Sequence, residues 1–357
     1  MAAISPKCYN DFRLALPDQP MIVYFVPVYL VNTIYMRLSP FSLSQNLFLL
    51  VFIMLTGFAC NSEEGQKQEE TPAETQPSTE MKSTFDLQGH RGCRGLLPEN
   101  TLPAFLHAVD LGVTTLELDV VITSDKEVLV SHEPFFSHEI CLNPNGAEIP
   151  ESEEKTHNIY TLSLAECQAY DCGSKFVERF PDQQKMKVSK PSLREVFATV
   201  EEHVKQKGLP PVRYNIETKS KPEGDDLFHP QPAEFVELLY GVIQEAGTQS
   251  QVSLQSFDVR TLQVAQEKEL DLTLVLLVEN EEGAEANLQA LGFTPDVYSP
   301  WFKLIGADLP AFCRDKGMQL IPWTVNEEAD IHKMLDLGVD GLISDYPDRV
   351  LAIRKGL

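Results

Sequence analysis

Two periods of apolar positions take turns along residues 83–357. A short apolar-polar run, Phe85 to Gln88, reads as a strand that ends in a glycine-rich loop. From Thr101 to Leu111, Leu102, Phe105, Leu106 and Val109 fall on one helical face, with Asn100 or Thr101 as cap and Gly112 past the end. Thr114–Ile122 is the next strand, and Glu117 and Asp119, two apart, project from the same side of it. Only Thr123-Ser124-Asp125-Lys126 separates it from Val128–His132, too short for a crossover helix. That segment is expected to be a hairpin partner or a closely coupled strand, with Val128, Val130 and His132 on one face. Residues 133–190 lose the regular pattern, apart from a helical piece near Ser163–Ala169, and read as an excursion that shapes a substrate mouth.

Regularity returns with a helix over Pro191–Lys207. Ser192 and Glu195 form its capping box, Leu193, Val196, Phe197, Val200 and Val204 its buried stripe, and Gly208 its end. Val212–Lys219 is a strand with Asn215, Glu217 and Lys219 on one face. Phe235, Leu238, Leu239, Val242 and Ile243 mark a helix closed by Gly247. Strands at Gln251–Phe257, Leu272–Val278, Asp296–Ser299, Gln319–Val325 and Gly341–Ser344 follow, separated by helices that include Leu309–Lys316 and Glu327–Leu337. This alternation predicts an α/β fold with parallel strands, a TIM (β/α)8 barrel carrying a small insertion after the third strand. Nine strand candidates exceed the required eight, and the 114–132 hairpin accounts for the excess. The structural alternative, a doubly wound open sheet, lacks a Gly-x-Gly-x-x-Gly fingerprint after the first strand.

The N-terminal quarter follows other rules. Leu47–Ala59 is an apolar run of thirteen residues ended by Cys60, too short to span a bilayer and suited to a signal-peptide core. Residues 36–59 thus read as a signal peptide, and Cys60 as a lipidated residue that attaches the mature chain to a membrane. Position 57 is Gly, where a lipoprotein signal prefers Leu; a signal cleaved without lipid and an uncleaved anchor are the rival readings. Residues 1–35 fit no such signal, and Met36 is well placed as the true start. Residues 60–82, rich in Glu, Gln, Thr, Ser and Pro, form a flexible acidic linker, which leaves 83–357 as the globular part. The expected location is exported, periplasmic or anchored at the outer membrane.

Composition changes this picture little. The 357 residues are 43% hydrophobic and 23% charged, ordinary for a globular protein. A net charge of −24 argues against nucleic acid or an anionic membrane surface as a partner. Of seven cysteines, Cys93, Cys141, Cys167, Cys172 and Cys313 lie in the globular part, with no Cys-x2-Cys metal pair. Cys141–Cys172 and Cys167–Cys172 are both open as disulfides.

Candidate chemistry gathers at strand ends. Glu117, Asp119 and Glu217 repel one another unless a cation neutralises them, and an all-oxygen set suits Ca2+ or Mg2+. The bland alternative is a salt-bridged cluster with Lys219, Arg91 or Arg94; three acids together favour the metal. His90 and His132 end two different strands and are fit to act as general base and general acid. Arg91 offers a fork for phosphate oxygens, and Lys219 a point charge for negative charge that develops in a transition state. Together these imply an anionic substrate, a phosphodiester.

The ordered set His90-Arg91-Gly92, Pro98-Glu99-Asn100-Thr101, Glu117-Leu118-Asp119-Val120, Ser131-His132-Glu133, Asn215-Ile216-Glu217-Thr218-Lys219, Ser256-Phe257, Trp323-Thr324-Val325-Asn326 and Ser344-Asp345-Tyr346-Pro347 resembles the glycerophosphodiester phosphodiesterase family. The resemblance runs from about 85 to 355. It implies a TIM barrel with an inserted region after the second histidine, where 133–190 lies, and hydrolysis of deacylated phospholipids to glycerol 3-phosphate and an alcohol. It assigns Glu117, Asp119 and Glu217 to the metal, His90 and His132 to acid–base catalysis, and Arg91 and Lys219 to the phosphate. Phe257 and Trp323 become apolar walls of the site, although plain core aromatics would look the same. Glu133 departs from the family's more frequent Asp, and Cys93 replaces a small residue. Two rival functions stand beside this one: a related phospholipase on intact lipids, and a lipoprotein that binds head groups without chemistry.

Overall fold

The computed structural model describes residues 85–356. The expectations for 1–35, 36–59, Cys60 and 60–82 lie outside the described residues. Nine strands and nine α-helices alternate through the described chain. The strands are β1 (Asp86–Gly89), β2 (Thr115–Ile122), β3 (Val128–Val130), β4 (Arg213–Thr218), β5 (Val252–Ser256), β6 (Thr273–Val278), β7 (Val297–Pro300), β8 (Gln319–Leu320) and β9 (Gly341–Ser344). The helices that position the site are α1 (Leu102–Leu111), α2 (Leu164–Cys167), α3 (Leu193–Lys207) and α4 (Pro232–Ala246); α5 to α9 follow β5 to β9 in turn.

Eight strands pair in parallel in the order β8-β7-β6-β5-β4-β2-β1-β9, and β3 hangs antiparallel on β2. The two ends of that order meet. Asp340 N donates to Leu320 O (2.9 Å), Ile343 N to Pro322 O (3.0 Å) and Val325 N to Ile343 O (2.9 Å). The sheet therefore closes into the expected barrel, and the hairpin supplies the ninth strand. The closing strand is shorter than the sequence pattern implies. Gln319–Val325 is regular strand only at Gln319–Leu320, because Pro300 of β7 has no N–H for Ile321 O; the register nevertheless persists through Ile321 N→Tyr298 O (3.2 Å) and Trp323 N→Pro300 O (3.2 Å) to a bridge between Trp301 and Trp323.

Local chemistry fixes the helix starts nearest the site. Thr101 caps α1 by accepting from Ala104 N, and Gly112 closes it at φ 99°. Asn100 is thereby free for another task. The Ser192–Glu195 capping box forms at α3 as expected. One large apolar layer fills the space between sheet and helices, with Leu116, Leu118, Tyr214, Ile216, Phe105 and Phe235 near its centre. Inside the barrel the filling is divided. Val275, Val297, Ile321 and Ile343, with Trp323 against them, pack one side. Gln88, Asn215 and Gln255 occupy the other as a hydrogen-bonded chain: Asn215 Nδ2 donates to Gln88 Oε1 (2.8 Å) and to Gln255 Oε1 (2.9 Å).

Between β3 and α3 the chain makes its own small core. Phe136 and Tyr170 stack at 3.6 Å over Ile149 and Ile159, against Val121 and Leu129 of the hairpin. The disulfide here is Cys141–Cys172; Cys167 stays free and buried. The helical piece is confined to Leu164–Cys167. Among the described residues no helix is long and apolar enough to cross a membrane.

Candidate active site

β2 delivers two acids to the barrel interior because its side chains alternate. Leu116 and Leu118 face the helices; Glu117 and Asp119 face inward, 2% and 1% exposed. Asp119 pairs in register with Glu217 of the neighbouring β4. Glu117, Asp119 and Glu217 therefore converge, with one carboxylate oxygen from each lying within 4.8 Å of the others.

The surroundings of the three acids differ. Asp119 receives Asn100 Nδ2 at 2.9 Å, and Arg91 Nε lies 3.2 Å from its Oδ2 without making a hydrogen bond. Glu217 takes Lys219 Nζ at 2.7 Å. Glu117 has only neutral donors, Arg91 N at 2.9 Å and Gln255 Nε2 at 2.6 Å, with His90 Nε2 3.9 Å away. Burial and the Asp119 charge push Glu117 well above the usual carboxylate range. Burial, with Asp119 adding to it against Lys219, raises Glu217 to about 7. Asp119 is held well below the usual range: burial would raise it, and Arg91, His132 and Lys219 outweigh that. Two reluctant carboxylates beside an ionised one form an oxygen donor set short of positive charge, which is the chemistry that fits a hard divalent cation.

Each histidine is oriented by an acid. His90, at the end of β1, shares its Nδ1 with Asp345 Oδ1 at 2.6 Å, so Nε2 is the nitrogen turned toward Glu117. Burial and the Arg94 guanidinium lower His90 to about 4, against the pull of Asp345. The ring is therefore neutral at physiological pH. His132 shares its Nδ1 with Glu133 Oε1 at 2.8 Å, and burial followed by the Arg91 charge lowers it too. Its position corrects the expected strand. β3 stops at Val130; Ser131 N still pairs with Asp119 O at 2.9 Å, but the Ser131 hydroxyl bonds Glu133 O at 2.6 Å and turns the chain. His132 thus lies on the turn rather than in line with Val128 and Val130.

The two cations are engaged with acids as well as near the centre. Arg91 Nη1 donates to Glu99 Oε1 at 2.8 Å, and Lys219 Nζ lies 3.7 Å from Asp119 beyond its bond to Glu217. Phe257, 42% exposed, meets Trp323 edge to face with centroids 5.4 Å apart; Trp323 Nε1 donates to Ser299 O. Burial pushes the Cys93 thiol up to about 12, so it is an inert core group.

Glu99, Asn100, Gln255 and Asp345 hold the candidate site side chains in place; from sequence Asn100 reads only as a candidate helix cap, and the other three have no role. Burial would raise Glu99, but Arg91 and Arg94 bring it down to about 2. The unfolded chain binds this proton at higher pH than the folded one. The stabilisation is therefore full above about pH 4.5 and is lost as pH falls toward about 2. Glu99→Gln should remove about 2 kcal/mol of the stability lost between about pH 6 and pH 3. Denaturant melts of both proteins at the two pH values would check it; equal losses would refute it.

A model of the glycerophosphoryl diester phosphodiesterase family matches residues 90–349. The chain belongs to this family. A glycerophosphodiester phosphodiesterase of Caldanaerobacter subterraneus subsp. tengcongensis is 30% identical over 272 residues, 75% of this chain and 97% of that protein. Among solved structures, a Silicibacter pomeroyi DSS-3 protein assigned as a glycerophosphoryl diester phosphodiesterase is 28% identical, with a TM-score of 0.69 over 77% of this chain and 94% of its own. An Oleispira antarctica phosphodiesterase, solved with sn-glycerol-3-phosphate, shares the fold at 20% identity and a TM-score of 0.60, over 76% and 96% of the two chains. As a glycerophosphoryl diester phosphodiesterase the chain is a phosphoric diester hydrolase, and its barrel mouth carries the residues described above.

Proposed function

We propose that this chain hydrolyses a glycerophosphodiester to glycerol 3-phosphate and an alcohol, with one divalent cation, Ca2+ or Mg2+, held by Glu117, Asp119 and Glu217. The convergence of those three acids beside a neutral His90 carries the reading. A cation bound there supplies Lewis acidity toward a phosphate oxygen. His90, kept in one tautomer by Asp345, takes the proton of the nucleophile at Nε2. His132, oriented by Glu133 through Nδ1–H, acts as the imidazolium: it takes a solvent proton at Nε2 before the step and gives that proton to the departing alkoxide. Arg91 and Lys219 place positive charge beside the phosphate, and Phe257 and Trp323 wall the head-group side. The product bound to the Oleispira antarctica relative supports glycerol 3-phosphate as the product here.

The chain is further proposed to act outside the cytoplasm, anchored through a lipidated Cys60. The Cys141–Cys172 disulfide supports export, since such bonds persist in oxidising compartments. The deciding experiment is an assay of glycerol 3-phosphate release from glycerophosphocholine, with and without chelator, beside intact phospholipid vesicles. Chelator-sensitive turnover of glycerophosphocholine is expected. Turnover of vesicles alone would favour the phospholipase, and turnover of neither would leave a head-group binder.

A further inference from the structure

Lys190 is a buried cation that the mechanism above leaves idle. It precedes the Pro191–Ser192 lead-in to α3, which is pinned to the hairpin by Val130 N→Pro191 O (2.9 Å) and by a bridge between Leu129 and Ser192. The pinning sets Lys190 level with the turn that carries His132. The residue is only 2% exposed, yet it lines a cavity of about 330 Å3 that opens from the barrel mouth under the 133–190 segment.

The charges around this cavity are almost all spoken for. Its four carboxylates each have a cation or an imidazole of their own. Glu99 holds Arg91 (2.8 Å), and Glu133 holds His132 (2.8 Å). Glu154 holds His138 (2.7 Å), and Glu139 holds Arg179 (2.8 Å). Among the described residues Lys190 alone of the lining charges makes no hydrogen bond and no ion pair. Arg91, Glu99, His132 and Glu133 line the same cavity, and the pinning of Pro191 and Ser192 to the hairpin sets Lys190 beside the His132 turn, so it belongs to the inner, catalytic end. Its stem is buried, but Nζ is not a sealed atom, so the ammonium meets the cavity; a largely desolvated charge without a partner is costly, and a ligand there would complete it.

We propose that Lys190 receives an anionic oxygen of the substrate in this cavity, the scissile phosphate in the first instance, as a third cation beside Arg91 and Lys219. The proposal rests on the phosphodiesterase reading for its substrate class. Arg91 and Lys219 are each already paired with a carboxylate. Lys190 is not, so its full charge is available to the ligand. The second source of the same chemistry is an acid group on the head of the diester.

Lys190→Met removes the charge and keeps most of the volume; Lys190→Arg keeps the charge. With divalent cation present, titration with inorganic phosphate should show the Met variant binding about tenfold or more weakly, and the Arg variant recovering most of the loss. The Met variant should raise KM for glycerophosphocholine and glycerophosphoserine alike, and should melt at or above the wild-type temperature, since an unpaired buried charge is gone. A loss confined to glycerophosphoserine would assign the anion to its head carboxylate. Unchanged phosphate affinity and unchanged KM for both diesters would overturn the proposal, as would a lowered melting temperature with binding intact. Should the Met variant not fold, Lys190→Gln carries the same comparison. If the wild type turns over no diester, the functional reading fails, while the phosphate titration still decides the role of Lys190.

Discussion

Replacing His90 with alanine should lower kcat by about 10^2- to 10^4-fold and leave the fold intact, and His132→Ala should cost a similar factor. The reason is geometric before it is electrostatic. Asp345 accepts a hydrogen bond from His90 Nδ1–H, which leaves a lone pair on Nε2 beside the carboxylate trio. With its pKa lowered to about 4, the ring is unprotonated across the neutral range and its Nε2 lone pair is unoccupied. Removing the ring leaves Asp345 still bonded to Arg94 Nε at 2.5 Å, so no buried acid is stranded and stability should change little. Single-turnover assays with circular dichroism on each variant give the check. Near-normal turnover in both variants would dismantle the acid–base assignment. Asp345→Asn offers a finer readout: it keeps the shape, loses the acceptor charge and should depress kcat while KM stays close to wild type.

How much of this was legible beforehand depends on the range of the signal. Helix caps are local, so the Ser192–Glu195 box and the Gly112 and Gly208 stops could be read directly. The same-face spacing of Glu117 and Asp119 is equally local, and Glu217 joins them because parallel pairing of β2 with β4 sets it opposite Asp119. What failed was decided by single atoms. Pro300 interrupts the β7–β8 ladder by lacking an N–H, and the Ser131 hydroxyl bends the chain ahead of His132. The supporting residues were out of reach for another reason. Asp345 lies 255 positions from His90 and Gln255 lies 138 from Glu117, so only barrel closure reveals these partners. Glu99 and Asn100 stood inside a quoted motif, but nothing in their own spacing ties them to Arg91 and Asp119. Lys190 gave no signal at all: a lysine before a helix reads as solvated until burial is known.

Neutralising one acid of the trio is expected to have an effect as large as losing a histidine, and for a separable reason. Asp119→Asn or Glu217→Gln removes a charged oxygen donor from a set of three. Divalent-cation affinity should fall by about 100-fold, and activity with it at ordinary cation concentrations. The folded chain without cation keeps three buried acids within 4.8 Å, two of them pushed toward their protonated forms. A cation that binds only the folded state should therefore stabilise the wild type, by about 2.7 kcal/mol when present at about 100 times its Kd. Glu117→Gln separates the two contributions. Glu117 has no cationic partner to lose, so without cation the variant should melt above the wild type, while its shift on adding Ca2+ or Mg2+ should shrink or vanish. Thermal melts of both proteins, each with chelator and with either cation, test this directly. A wild-type melting temperature indifferent to both cations, together with turnover that survives chelation, would mean that Lys219 and Arg91 alone balance the trio and that the barrel works without a metal.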